Sequence, residues 1–122
     1  MAYINASTSK KIRTVLKEMY PEIKFSVRIA DHMSLYVSIM SSPYFEDEQY
    51  AQINQYHIES HFEGVQKEVL LGIDKVIREV GQYYNNSDVQ IDYFDYAFFY
   101  HIHIGRWDKK HQYKEYNLKL AL

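Results

Sequence analysis

Cysteine is absent, which excludes a disulfide framework, a thiolate metal centre and a cysteine nucleophile. That absence fits a reducing compartment, and a cytoplasmic location is expected. An excess of one charge sign is also missing. The chain has 14 basic and 16 acidic residues, for a net charge of −2. No global pull toward nucleic acid follows, so phosphate binding would need a local patch. No apolar run reaches the length of a membrane span. Met1 to Lys11 lacks the basic-then-apolar order of a signal peptide. The glycines form no phosphate-cradling loop, and no nucleophile is paired with a base. An enzyme is therefore not expected, nor is a cofactor or a membrane partner.

What is present is a core and many tyrosines. At 122 residues and 47% hydrophobic, the chain is long enough to bury a real core, and one domain over residues 1–122 is expected. The 13 tyrosines either tile the rim of that core or mark an interface, where tyrosine gives large contact area at low entropy cost.

The chain reads most clearly at Ile23 to Met40. Ile23, Phe25, Val27 and Ile29 alternate with Lys24, Ser26 and Arg28; Leu35, Val37 and Ile39 alternate with Ser34, Tyr36, Ser38 and Met40. A period of two with one polar face predicts an antiparallel strand pair, joined through Ala30-Asp31-His32-Met33. Upstream, Ser7-Thr8-Ser9 offers a helix cap, and Ile12, Val15, Leu16 and Met19 make one apolar stripe that stops at Pro21. Downstream, Glu46-Asp47-Glu48 resembles the first turn of a short helix whose inner face holds Tyr50 and Ile53. Residues 57–64 read as a loop.

Val65 to Tyr84 predicts a long helix, with Val65, Val69, Ile73, Val76, Ile77, Val80 and Tyr84 inward and Asp74 among the outward charges. Gly72 in its middle is read as the place of a close backbone approach. Val89 and Ile91 begin a return to strand character. From Ala97, Phe98, Tyr100, Ile102 and Ile104 share one face; Phe99, His101 and His103 share the other. Arg106 to Lys114 reads as a polar loop, and Tyr116, Leu118, Leu120 and Leu122 as an edge strand. The expected fold is α+β: a two-layer sandwich, with an antiparallel sheet of three to four strands and helices packed on one face.

The run Lys10 to Arg28 resembles the opening of the large polyvalent protein associated domain, family 29. Tyr20-Pro21-Glu22-Ile23-Lys24-Phe25-Ser26-Val27-Arg28 is similar to its aromatic-Pro-x-aliphatic-Lys-Phe-Ser-Val-Arg step. Ser34-Leu35-Tyr36-Val37-Ser38, His61-Phe62-Glu63-Gly64 and Asp95-Tyr96-Ala97-Phe98-Phe99 resemble later blocks. The family's Trp-Thr-Asp-Gly-Pro stretch reads Ile39-Met40-Ser41-Ser42-Pro43 here. The resemblance implies a protein of phages, plasmids or conjugative elements, with binding of a host defence component (an antirestriction or anti-CRISPR type of job) as the natural task.

Helices over the face of Phe25, Val27, Val37, Phe98 and Ile102 would leave an open face. Lys24, Arg28, Tyr36, Phe99, His101 and His103 would stand there, with Arg106 and Trp107 near its end. These are the expected partner-binding residues. A host protein is the first occupant, since aromatics and arginine anchor protein interfaces. A second copy of the chain would use the same anchors. Single-stranded nucleic acid is the alternative, stacking on aromatics with Lys24, Arg28 and Arg106 on phosphate. His101 and His103, with His57 and His61, invite a zinc or copper reading, but nothing in the spacing forces the pairs together, and no metal is expected.

Overall fold

The computed structural model describes residues 4–83 and 98–115. Its elements are α1 (Ala6–Met19), β1 (Lys24–Ala30), β2 (Ser34–Ser42), β3 (Ala51–Ile53), α2 (Ile58–His61), α3 (Gly64–Val80), β4 (Phe99–Ile104) and β5 (Gln112–Tyr113). The fold is α+β, with helices on one face of a sheet. The readings at Val89, Ile91 and residues 116–122 fall outside the described residues.

Asn5 caps α1, its side chain accepting from Thr8 N at 2.8 Å, one turn ahead of the Ser-Thr-Ser run. Ile12 and Leu16 are fully buried, whereas Met19 at the end of the stripe is exposed. Arg13 donates to the Val27 carbonyl at 2.6 Å, tying α1 to the edge strand β1. β1 and β2 form the expected antiparallel pair, with Val27 opposite Val37 and Arg28 opposite Tyr36. Their turn places Asp31 and His32 at φ 55° and 60°, the left-handed pair that a type I′ turn requires.

The sheet is mixed and has five strands. Its order is β1-β2-β4-β3, with β5 beside the end of β2 where β4 leaves off. β4 runs parallel to β2, and only β1/β2 and β3/β4 are antiparallel. A parallel neighbour needs a long crossover, which α2 and α3 supply. The buried face holds Leu35, Val37, Ile39, Ile102 and Ile104, all sealed from solvent, against Ile12 and Leu16 of α1 and Leu70, Ile73 and Ile77 of α3.

Three expectations are corrected. Glu46 to Glu48 starts no helix: Glu48 turns to φ 61°, and Ala51–Ile53 is a strand that pairs with β4. Residues 57–64 are not all loop, since Ile58–His61 is helical. Asp74 is not outward. It is 8% exposed and accepts from the Tyr100 hydroxyl at 2.6 Å. Burial pushes its carboxyl above the usual range, against the opposing pull of the Tyr100 bond and of Arg78. At Gly72 the close approach is real. A Cβ there would stand 1.9 Å from the Tyr20 hydroxyl.

Candidate binding face

The face of the sheet away from the helices is laid out in rows by the register. Arg28, Tyr36 and His101 form one row; Ser26, Ser38, His103 and Gln52 form the next; Ala30, Ser34 and Phe99 lie at the other end. Side chains in a row come from neighbouring strands and touch side to side. The Arg28 guanidinium lies over the Tyr36 ring, 4.8 Å from its centre. From the β4 side, the His101 ring stacks on Tyr36 at 4.8 Å and 22°, and His103 at 6.2 Å and 26°. Beyond it Tyr50, just ahead of β3, stacks on His103 at 6.1 Å and 6°. The result is a ladder across four strands: Arg28, Tyr36, the two histidines, Tyr50.

Burial holds both histidines below their ordinary pKa, and for His103 the charges of His101 and Arg28 add to it. Both rings are therefore neutral at pH 7. They act as flat aromatic surfaces with one donor and one acceptor each, not as cations.

At the end of the ladder the chain folds back. Gly105 takes φ 72°, and a Cβ there would stand 2.6 Å from both Gln49 O and His111 N, so only glycine fits the turn. The turn 106–109 is closed by Arg106 N donating to Lys109 O at 2.8 Å. This turn puts Arg106 and Trp107 beside the ladder. Together with Arg28, Tyr36, Ser38, Tyr50, His103 and Gly105 they line a half-open pocket of ≈ 130 Å³. Trp107 is 77% exposed and Phe99 40%.

His111 pins this turn from below. It is fully buried, and its Nδ1 lies 2.8 Å from the Glu46 carbonyl. A carbonyl only accepts, so Nδ1 carries the proton. Nε2 then accepts from the Ser42 hydroxyl, also at 2.8 Å. This serine–histidine pair is sealed from solvent on both partners, so no substrate reaches it. It is a structural tie between β2 and the turn.

The sequence-derived residues separate as follows. Arg28, Tyr36, His101 and His103 meet in the ladder, and Arg106 and Trp107 join them at the pocket. Phe99 lies on the same face, opposite Ser34. Lys24 does not belong. At a bulge the pairing steps from Phe25–Ile39 to Lys24–Ser41, with Met40 the extra residue, and Lys24 lines a separate groove with Arg13 and Lys17 of α1. The two histidine pairs do not converge. His57 and His61 face each other at 5.7 Å on α2, and among the described residues no group of three or more His, Asp or Glu is placed to hold a metal. Tyr50 and His111 were missed by sequence reasoning. Tyr50 precedes a strand too short to show alternation, and His111 sits in a run of polar residues that carries no periodic signal.

Among the described residues no helix is long and apolar enough to cross a membrane. Comparison with curated proteins and with solved structures found no match. A sequence model of the large polyvalent protein associated domain 29 matches residues 3–94. That span contains α1 to α3 and, of the pocket, Arg28, Tyr36, Ser38 and Tyr50; β4 and the Gly105 turn follow it. Domains of this family are associated with large polyvalent proteins of mobile elements. With about three quarters of its length matched, the chain belongs to the large polyvalent protein associated domain 29 family.

Proposed function

We propose that this chain is a non-enzymatic interaction module of a phage or plasmid, and that it binds a host protein through the open sheet face. The host component is one of a defence system, met in the cytoplasm. The defence assignment rests on the family's link to mobile elements alone. The surface assignment rests on one observation, the occupied ring faces of the ladder. A base-stacking platform presents aromatic faces to solvent. Here Arg28 and His101, from the strands on either side of β2, both lie against the Tyr36 ring, while His103 stacks on Tyr50. Exposed Trp107 and Phe99 lie around this stacked row. Aromatics and arginine with satisfied flanks are the anchors of protein interfaces.

The second reading, single-stranded nucleic acid on the same face, draws on Arg28 and Arg106 lining one pocket beside Trp107. An affinity pull-down from bacterial lysate, with and without nuclease, separates the two. A protein partner that survives nuclease, and is lost in the Tyr36→Ser/Phe99→Ser variant, supports the protein reading. Material lost on nuclease treatment, and released steeply by salt, supports nucleic acid instead.

A further inference from the structure

The pocket at the end of the ladder is bordered by two arginines, of which Arg106 is paired with Asp108 outside the lining and Arg28 has no carboxylate partner among the described residues. None of its lining residues is acidic. The Arg28 guanidinium lies over the Tyr36 ring and among the described residues donates no hydrogen bond, so its N–H groups are available to a planar acceptor. Among the described residues no carboxylate lies within ion-pair distance of Arg28. Arg106 is paired with Asp108, whose carboxylate is 3.2 Å from Nε. The Arg106 Nη2 donates to the other Asp108 oxygen at 3.2 Å, while the Nε contact is not aligned as a hydrogen bond, so the buried Nε–H is left without an acceptor. His103, which lines the pocket with both arginines and Tyr50, is disfavoured as a cation by burial first and then by the charges of His101 and Arg28. At ≈ 130 Å³ the cavity is well below the roughly 300 Å³ at which sites for drug-sized ligands begin, and it suits a single charged group.

We propose that this pocket is an oxyanion site, in which Arg28 and Arg106 grip an acidic side chain of the protein partner. The proposal rests on the reading of the open face as a protein-binding surface. Paired guanidinium and carboxylate groups fit edge to edge through two parallel hydrogen bonds, so the site selects a planar anion in a fixed orientation. The groups facing His103 are Arg28 from β1, Tyr36 and Ser38 from β2, His101 from β4, Gln52 and Tyr50 from the β3 side, and Arg106 from the turn. Of these only the two arginines are charged at pH 7, so an anion in the pocket becomes the nearest negative charge to the ring.

The test is a pH titration of the histidine ring protons by NMR, with acetate and with sulfate as the probes. Acetate is expected to raise the His103 pKa by about one pH unit, equivalent to about tenfold tighter binding to the protonated form. His57 and His61, which do not line the pocket, should stay put. Arg28→Gln and Arg106→Gln should each abolish the rise, in variants whose amide spectra otherwise overlay the parent. Arg28→Lys, which keeps charge without the fork, should retain only part of it. A rise with sulfate and none with acetate would overturn the acidic side chain in favour of a phosphate group. No rise with either would overturn the site. A partner captured equally well by the Arg28→Gln/Arg106→Gln protein would overturn the site and leave the protein-interaction reading standing; an acetate response without any protein partner would do the reverse.

Discussion

Leu35, Val37, Ile39, Ile102 and Ile104 are sealed from solvent, while Tyr36, His101 and His103, one residue away on the same strands, remain half-exposed. The two faces of the sheet use the same backbone and differ only in what alternates along it. The covered face is aliphatic and touches two helices; the open face is a row of rings and guanidinium groups that touch one another. The difference teaches where stability and recognition reside. Aliphatic burial accounts for the fold, whereas the open-face pairs each add little, about 0.5–1.5 kcal/mol for an aromatic pair.

The comparison is sharpened first by Ile102→Ala on the covered face. It leaves a cavity under both helices and should cost about 2–5 kcal/mol, read as a large fall in the thermal midpoint. Next comes His111→Ala, beneath the turn that carries Arg106 and Trp107. It strips partners from the buried Ser42 hydroxyl and Glu46 carbonyl, at about 1–3 kcal/mol for an orphaned group, so a total near 2–4 kcal/mol is expected in chemical denaturation. Gly72→Ala should cost less, about 1–2 kcal/mol. The new methyl meets the Tyr20 hydroxyl, and the overpacking outweighs the roughly 1 kcal/mol that alanine gains in a helix. Removing the hydroxyl with Tyr20→Phe in the same chain should recover part of the loss; no recovery would mean that the clash lies elsewhere.

The smallest effect belongs to the open face and to pH. His101 and His103 titrate below the ordinary 6.5 in the fold. The unfolded chain therefore takes up protons that the fold resists. Stability should decline as pH falls below about 6.5, and level off once the pH is below the folded values. Asp74 works in the opposite sense at lower pH, because its raised carboxyl is protonated in the fold before it is in the unfolded chain. The histidine contribution is isolated by comparing urea midpoints of wild type and His101→Asn/His103→Asn between about pH 7.5 and 5; the variant should show the flatter profile.

The legible parts of the molecule were those with a long unbroken period. The hairpin sequence alternates over the seven residues of β1 and from Ser34 to Met40 in β2, and α3 holds its stripe over 17, so pattern alone located them. Where the period is short, local chemistry misled. β3 has three residues, and the acids before it imitate a helix start. Asp74 reads as a surface charge because its partner, Tyr100, arrives only through the crossover. The parallel pairing of β4 with β2 was not legible either, since alternation is the same whichever way a neighbour runs. For the site, alternation placed Arg28, Tyr36, Phe99, His101 and His103 correctly on one face. It did not show that Lys24 borders a separate groove beside α1, and it could not supply Tyr50 or the buried tie of His111, which depend on contacts between distant segments.

The most direct measurement of the separation between the two faces is the thermal unfolding of Tyr36→Ser/Phe99→Ser beside Ile102→Ala. If the open face is a binding surface, the double variant should unfold within a few degrees of wild type, far above Ile102→Ala. A midpoint as low as that of Ile102→Ala would make Tyr36 and Phe99 part of the core and contradict the account.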